Sequence, residues 1–251
     1  MKMHISNYLA LTLTFGIVMS YWSEPSIPEY LHICEKKDSN LTECLKTSIE
    51  ILQSVLINGI PNVDVPSFDP LKIGDLFKFD KSRHGLQVKV WNIVVLGILK
   101  FKIEKLHVIK HGKLYRIDVL FPKLQIEGGC ELSGSIEEFV INENCSFVES
   151  FHNSTAVVRA HFNLKNEWMV QTEKIDITIK TGKGVVELYD LDNGRRIFDR
   201  QDVDNVINHH FDKMNKNLVF VIEKLLQHQL KEMSNQVFGN FSIGQIFPLS
   251  F

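Results

Sequence analysis

The chain is poor in the features that mark most enzymes and nucleic-acid binders. Its 28 basic and 30 acidic side chains nearly cancel, giving a net charge of −2. That balance provides no electrostatic footprint for nucleic acid or for an anionic membrane surface. No Gly-x-Ser-x-Gly elbow occurs, and Leu132-Ser133-Gly134 lacks the preceding glycine that would turn a strand sharply onto a nucleophile. There is no His-Glu-x-x-His, and His209 with Asp212, three apart on a helix pattern, supplies too few ligands for zinc. The four cysteines can all be assigned to disulfides, which leaves no catalytic thiol. Neither an enzyme nor a cofactor or metal site is expected.

Long apolar runs are scarce as well. The first, residues 8–18, follows Lys2 and leads to small Ser20, so residues 1–20 are predicted to be a secretory signal peptide. A spanning helix would need about 20 apolar residues. The densest later run, residues 218–222, is flanked by Asn217 and Glu223, so no stable membrane insertion is expected. With no low-complexity tract, linker or repeat, residues 21–251 read as a single domain.

An even cysteine count in an exported chain reads as two disulfides. Sequence permits three pairings; Cys34 with Cys44 and Cys130 with Cys145 close the short local loops. The first closure should contribute roughly 3 kcal/mol. Sequons at Asn40, Asn144, Asn153 and Asn240 agree with export, with Asn40, Asn153 and Asn240 the predicted glycan acceptors and Asn144 disfavoured beside Cys145. Asn40, three residues before Glu43, also reads as a helix N-cap, which competes with glycosylation.

Two helices and a long run of strands are legible. Leu41, Leu45, Ile49, Leu52 and Leu56 recur at helical spacing until Asn58-Gly59-Ile60-Pro61 stops the helix. From residue 86 to about 191 the period becomes two, as in Ile117, Val119 and Phe121 or Ile175, Ile177 and Ile179. Turn signals at His111-Gly112, Glu127-Gly128-Gly129, His152-Asn153, Lys165-Asn166, Thr181-Gly182 and Asp192-Asn193-Gly194 divide it into an antiparallel meander. Helical spacing then returns from Val203 to Val237 with no proline or glycine, predicting roughly 52 Å of helix. Asn215, Lys216 and Asn217 interrupt any heptad, so a coiled coil is disfavoured.

The economical architecture is α+β: a long C-terminal helix wrapped by a strongly curved antiparallel sheet, enclosing a tubular apolar cavity. A curled sheet cannot interdigitate with a rod everywhere, and gaps lined by apolar side chains stay dry and accept apolar guests. The candidate lining is Trp91, Phe101, Ile103, Ile117, Phe121, Phe162, Ile177, Phe211, Met214, Leu218 and Leu225, although any one of them taken singly reads as ordinary core.

The chain resembles the insect juvenile-hormone-binding and takeout-like carriers. The resemblance rests on Cys34 and Cys44 about an N-terminal turn, Leu45, Gly59-Ile60-Pro61, Asp69-Pro70-Leu71 and Leu188-Tyr189-Asp190-Leu191-Asp192-Asn193-Gly194. Asn208 before the last helix and Ile246-Phe247-Pro248 complete it. It implies a single long helix sheathed by a curved antiparallel sheet, a tubular apolar cavity, an extracellular life and a hydrophobic small-molecule ligand such as a terpenoid or fatty-acid derivative. A monomer is expected. The chain is also similar to half of the larger tubular lipid-binding proteins. It departs from the family at Cys130, Cys145, His209 and His210.

The competing expectation is a secreted glycoprotein acting through its surface, its cavity filled by side chains, with Phe238, Phe241, Phe247 and Phe251 as an exposed patch. Lys100, Lys102, Lys105, Lys110 and Lys113 read as a solvated sheet face.

Overall fold

A computed structural model describes residues 27–34, 40–61, 64–74, 77–79, 87–109, 113–136, 139–165, 169–197, 201–239 and 241. Side chains are described for all of these but 77–79, 136, 139, 201–207, 209, 210, 213 and 214. The predicted leader, Asn240, Phe247 and Phe251 lie outside them. In chain order the elements are α1 (Leu41–Leu56), β1 (Leu71–Gly74), β2 (Phe77–Phe79), β3 (Gln87–Leu96), β4 (Lys102–Ile109), β5 (Leu114–Ile136), β6 (Phe139–Lys165), β7 (Met169–Lys180), β8 (Gly184–Asp190) and α2 (Gln201–Phe238).

All strand pairings are antiparallel, in one sheet of eight strands that curls about α2. The helix rests on β7 and β8 and touches β1, while α1 meets the sheet at β4. At 38 residues, α2 extends about 57 Å. No helix among the described residues is long and apolar enough to cross a membrane.

β5 and β6, of 23 and 27 residues, form the spine. Two predicted turns, Glu127-Gly128-Gly129 and His152-Asn153, fall inside these strands instead of ending them. Gly128 and Gly129 are there for close approach: a Cβ on Gly128 would meet Phe147 at 2.9 Å, and one on Gly129 would overlap the Trp91 indole. Asn153 takes a left-handed φ of 55° within β6 and stands opposite Pro122, which has no N–H to give the ladder.

At that point both strands change which parity faces inward. Along β5 the buried side chains run Tyr115, Val119, Phe121 and then Leu124, Ile126, Cys130, Leu132; along β6 they run Cys145, Phe147, Glu149, Phe151 and then Ser154, Ala156. The neighbours change at the same level. β5 pairs β4 before the kink and β3 after it, while β6 pairs β8 before and β7 after. The β7–β8 turn caps the kink, with the Gly182 N–H donating to Ser154 Oγ at 3.1 Å. The sheet therefore consists of two halves stitched by two continuous strands.

Both disulfides pair as expected, Cys34 with Cys44 and Cys130 with Cys145. The second lies between residues directly opposite on β5 and β6, both fully buried. Asn40 caps α1, its Oδ1 accepting from the Glu43 N–H at 3.3 Å. Asp69, beside the sequence motif Asp69-Pro70-Leu71, accepts from the Gly97 N–H at 3.0 Å and so anchors the β3–β4 loop.

Candidate functional site

Although α2 rests on β7, the face formed by β4, the start of β5 and the end of β6 stands off from it. Ile117, Val119 and Phe121 from β5, Ala156 and Val158 from β6, and Ile175, Ile177 and Ile179 from β7 present one face at a two-residue period. Opposite them, Leu226, Leu230, Met233 and Val237 descend α2 at helical spacing. Between these walls lies a cavity of about 270 Å³. α1 covers it with Ile49, Leu52 and Leu56, and Leu31, Phe68 and Phe101 close the sides.

Among the described residues, Gln53 and Ser234 alone bring polar side chains to this lining, and both are engaged by the protein itself. Gln53 Nε2 donates to the Leu99 and Phe101 carbonyls at 3.1 and 2.9 Å, which ties α1 to the β3–β4 loop. Ser234 Oγ shares a hydrogen with Thr172 Oγ1, and Thr172, wholly buried, gives its N–H to Asn235 Oδ1 at 2.8 Å. A buried polar group without a partner costs about 1–3 kcal/mol, so these bonds are what allows an amide and a hydroxyl to border an apolar space. The space can accept hydrocarbon and offers no charge or reactive group.

A second cavity, of about 190 Å³, adjoins the first under the N-terminal segment that the Cys34–Cys44 disulfide holds to α1. Phe162, Tyr115 and Leu106 line it from the sheet, Leu41 and Leu45 from α1. Phe162 stands edge-on to Tyr115 and to Phe238, at 5.4 and 6.2 Å between ring centres. Burial pushes the Tyr115 phenol up to about 12, so it stays neutral at any physiological pH.

Of the sequence-predicted lining, Phe101, Ile117, Phe121 and Ile177 meet on the first cavity, and Phe162 joins Ile117 on the second. The others lie elsewhere. Trp91 packs on Gly129 where the β3 register slips, on the face opposite buried Val90 and Ile93. Ile103 and Leu225 pack against the core outside either lining. Phe211 and Leu218 are 1% and 0% exposed in the other half of the molecule, Phe211 lying 5.6 Å from the Phe147 ring. The Met214 side chain is outside the described set.

The unanticipated lining comes mainly from α1 and the last three turns of α2. Its signal was present, since Ile49, Leu52 and Leu56 repeat at helical spacing, but nothing in that pattern says what a short amphipathic helix will cover. The C-terminal phenylalanines do not form a surface patch where described: Phe238 lines both cavities, and Phe241 is 5% exposed beside Leu31, Val170 and Val237.

The family model for haemolymph juvenile hormone binding protein matches residues 9–248. The chain belongs to that family. This family member is similar in fold to Takeout 1 of Epiphyas postvittana, with a TM-score of 0.56 and 17% identity over 86% of this chain and 98% of that one. A lipopolysaccharide binding protein matches with a TM-score of 0.46 and 12% identity over 78% of this chain and 37% of that one. No curated protein matches the sequence significantly.

Proposed function

We propose that the protein is an extracellular, monomeric carrier of a small lipophilic molecule held in the cavity between α1, α2 and the sheet, with residues 21–251 as its mature single domain. The observation that carries this reading is the lining of the first cavity, which among the described residues is apolar except for two polar side chains whose Nε2 and Oγ are already hydrogen-bonded. Family membership supports carriage over catalysis, because the family is described by what it binds. Two disulfides support an oxidising, extracytoplasmic setting. The ligand class is terpenoid or fatty-acid-like, since the walls recognise shape and hydrocarbon and little else.

A methylene needs about the ~30 Å³ that a water takes in the liquid, so about nine carbons fill the first cavity. Burying nine at ~0.8 kcal/mol each gives about 7 kcal/mol, and an association cost of at least about 4 leaves about 3, or millimolar binding. The test is to produce the protein in secreting insect cells, extract it with organic solvent and identify what was bound by mass spectrometry. A stoichiometric lipophilic compound is expected. An empty protein that also fails to brighten N-phenyl-1-naphthylamine would overturn carriage in favour of a surface role.

A further inference from the structure

We infer that Asn144 is an N-glycosylation site whose glycan lies against Trp91 on the outer face of the packed half, where β3 and β8 flank the two long strands. This rests on the extracellular reading above, since an exported chain is what meets the glycosylating machinery. In sequence, the triplet Asn144-Cys145-Ser146 reads as compromised by a bridged cysteine at its centre. The strand removes that objection, because successive side chains point to opposite faces. Cys145 and Phe147 are turned inward at 0% exposure, so Asn144 and Ser146 are turned outward, the first exposed and the second half-buried. The bridge and a glycan therefore occupy opposite sides of β6.

The surroundings leave room for the sugar and give it a surface. Glu131 stands directly opposite Asn144 on β5, and Lys89 Nζ, at 2.6 Å, draws its carboxylate the other way, toward β3. Ser146 faces Gly129, and the Trp91 indole occupies the space over that glycine. Gly129 is the diagonal neighbour of Asn144, about 7–8 Å away, a distance that the first sugar on Asn144 Nδ2 spans. Trp91 is half-buried, so part of its ring faces solvent, and the C–H groups of a pyranose pack on the electron-rich face of an aromatic ring. Two apolar side chains also stand exposed nearby. Val140, 86% exposed, is on the same face of β6, and Leu191, 52% exposed, follows the residue of β8 that pairs with Cys145. A bulky, hydrated glycan shields such surface from association.

The transfer joins Asn144 Nδ2 to C1 of a polyprenyl-diphosphate-linked oligosaccharide. The C1–O bond breaks as the N–C1 bond forms, the amide gives up one proton, and the polyprenyl diphosphate leaves. It takes place on the unfolded segment, while Cys145 is still a free thiol. The strands then pair edge to edge, with the sugar standing off the outer face.

The experiment produces the full chain in secreting insect cells and treats protein from the medium, without denaturation, with a peptide-N-glycosidase, which converts a glycan-bearing Asn to Asp. An untreated portion controls for spontaneous deamidation, and reduced peptides are read by mass spectrometry. Conversion at Asn144 is expected. Ser146→Ala and Asn144→Gln should each lose one glycan, seen as a single step of gel mobility, and either suffices because both leave Cys145 in place. Oxidation of Trp91 by N-bromosuccinimide, read on its peptide, should be slower before glycan removal than after. An unconverted Asn144 in secreted protein overturns the site while leaving export standing. Conversion at Asn144 with equal Trp91 oxidation in both forms overturns the placement against Trp91. A chain that never reaches the medium overturns the extracellular reading and the site with it.

Discussion

The two halves joined at Pro122 and Asn153 are furnished in opposite ways. Beyond the kink, where β3 and β8 flank the spine, Val90, Leu132, Phe147, Phe211 and Leu218 are 0–1% exposed and pack on one another around the buried Cys130–Cys145 bridge. Before it, where β4 and β7 flank the spine, the same kinds of residue stand apart around the larger cavities, and many are only half-buried. The same helix serves both halves. Apolar patterning thus says that a surface is turned inward, and it does not say whether another surface reaches it.

The comparison is most easily broken on α2. Leu218→Ala should cost about 4 kcal/mol, because deleting a close-packed side chain loses transfer energy and leaves a void. Leu230→Ala, which only enlarges a space already present, should cost about 1–2 kcal/mol. Denaturant unfolding measures both, and equal losses would mean that the first cavity is as tightly packed as the other half.

The packed half also contains a buried acid. Glu149 is 1% exposed, and its Oε1 accepts from Asn215 Nδ2 at 2.5 Å, while Glu149 Oε2 and Asn215 Oδ1 are buried without a partner among the described residues. Protonating Glu149 removes a buried charge that the single Asn215 bond does not offset. Burial, with Asp212 nearby and against the pull of the Asn215 bond, pushes the carboxyl up to about 7.

The folded state therefore holds a proton that the unfolded chain releases near 4.5. The stabilisation is complete below that value and is lost as pH rises through about 7, a change of about 3 kcal/mol. Glu149→Gln removes the titrating group while keeping an acceptor for Asn215 Nδ2, and should flatten this part of the curve of stability against pH. An unchanged slope in that variant would exclude Glu149 as its source. Among the described residues the lining of the first cavity has no ionisable side chain, so Ile177→Val should leave the slope as it is.

The smallest effect is expected at the cover of the hollow half. Asn40→Ala removes the α1 cap and should cost about 1 kcal/mol by thermal unfolding. A loss beyond about 2 kcal/mol would mean that the first turn of α1 is more firmly integrated than a terminal cap implies.

Much of this was legible beforehand. Alternation at Ile117, Val119 and Phe121 and at Ile175, Ile177 and Ile179 marked the inward faces that become cavity wall, and the short cysteine loops marked the bridges. The misreadings have local causes. Gly128-Gly129 and Asn153 carry turn chemistry but serve close packing and a kink, because tertiary contacts from Trp91 and Phe147 override the local signal. On α2, Leu225 and Leu226 both fit the apolar helical spacing, so sequence could not separate Leu225, packed on the core, from Leu226, one position on and facing the cavity. Trp91 was assigned inward by a simple period of two that the slip between Trp91 and Val94 interrupts.

The matched kink at Pro122 and Asn153 makes odd positions the interior ones on one stretch of each long strand and even positions on the next. Substitutions that reshape the first cavity therefore draw on a different set of side chains from those that pack the other half. One continuous pair of strands keeps the two in alignment, so the volume of the hollow half can be altered without touching the side chains of the filled one.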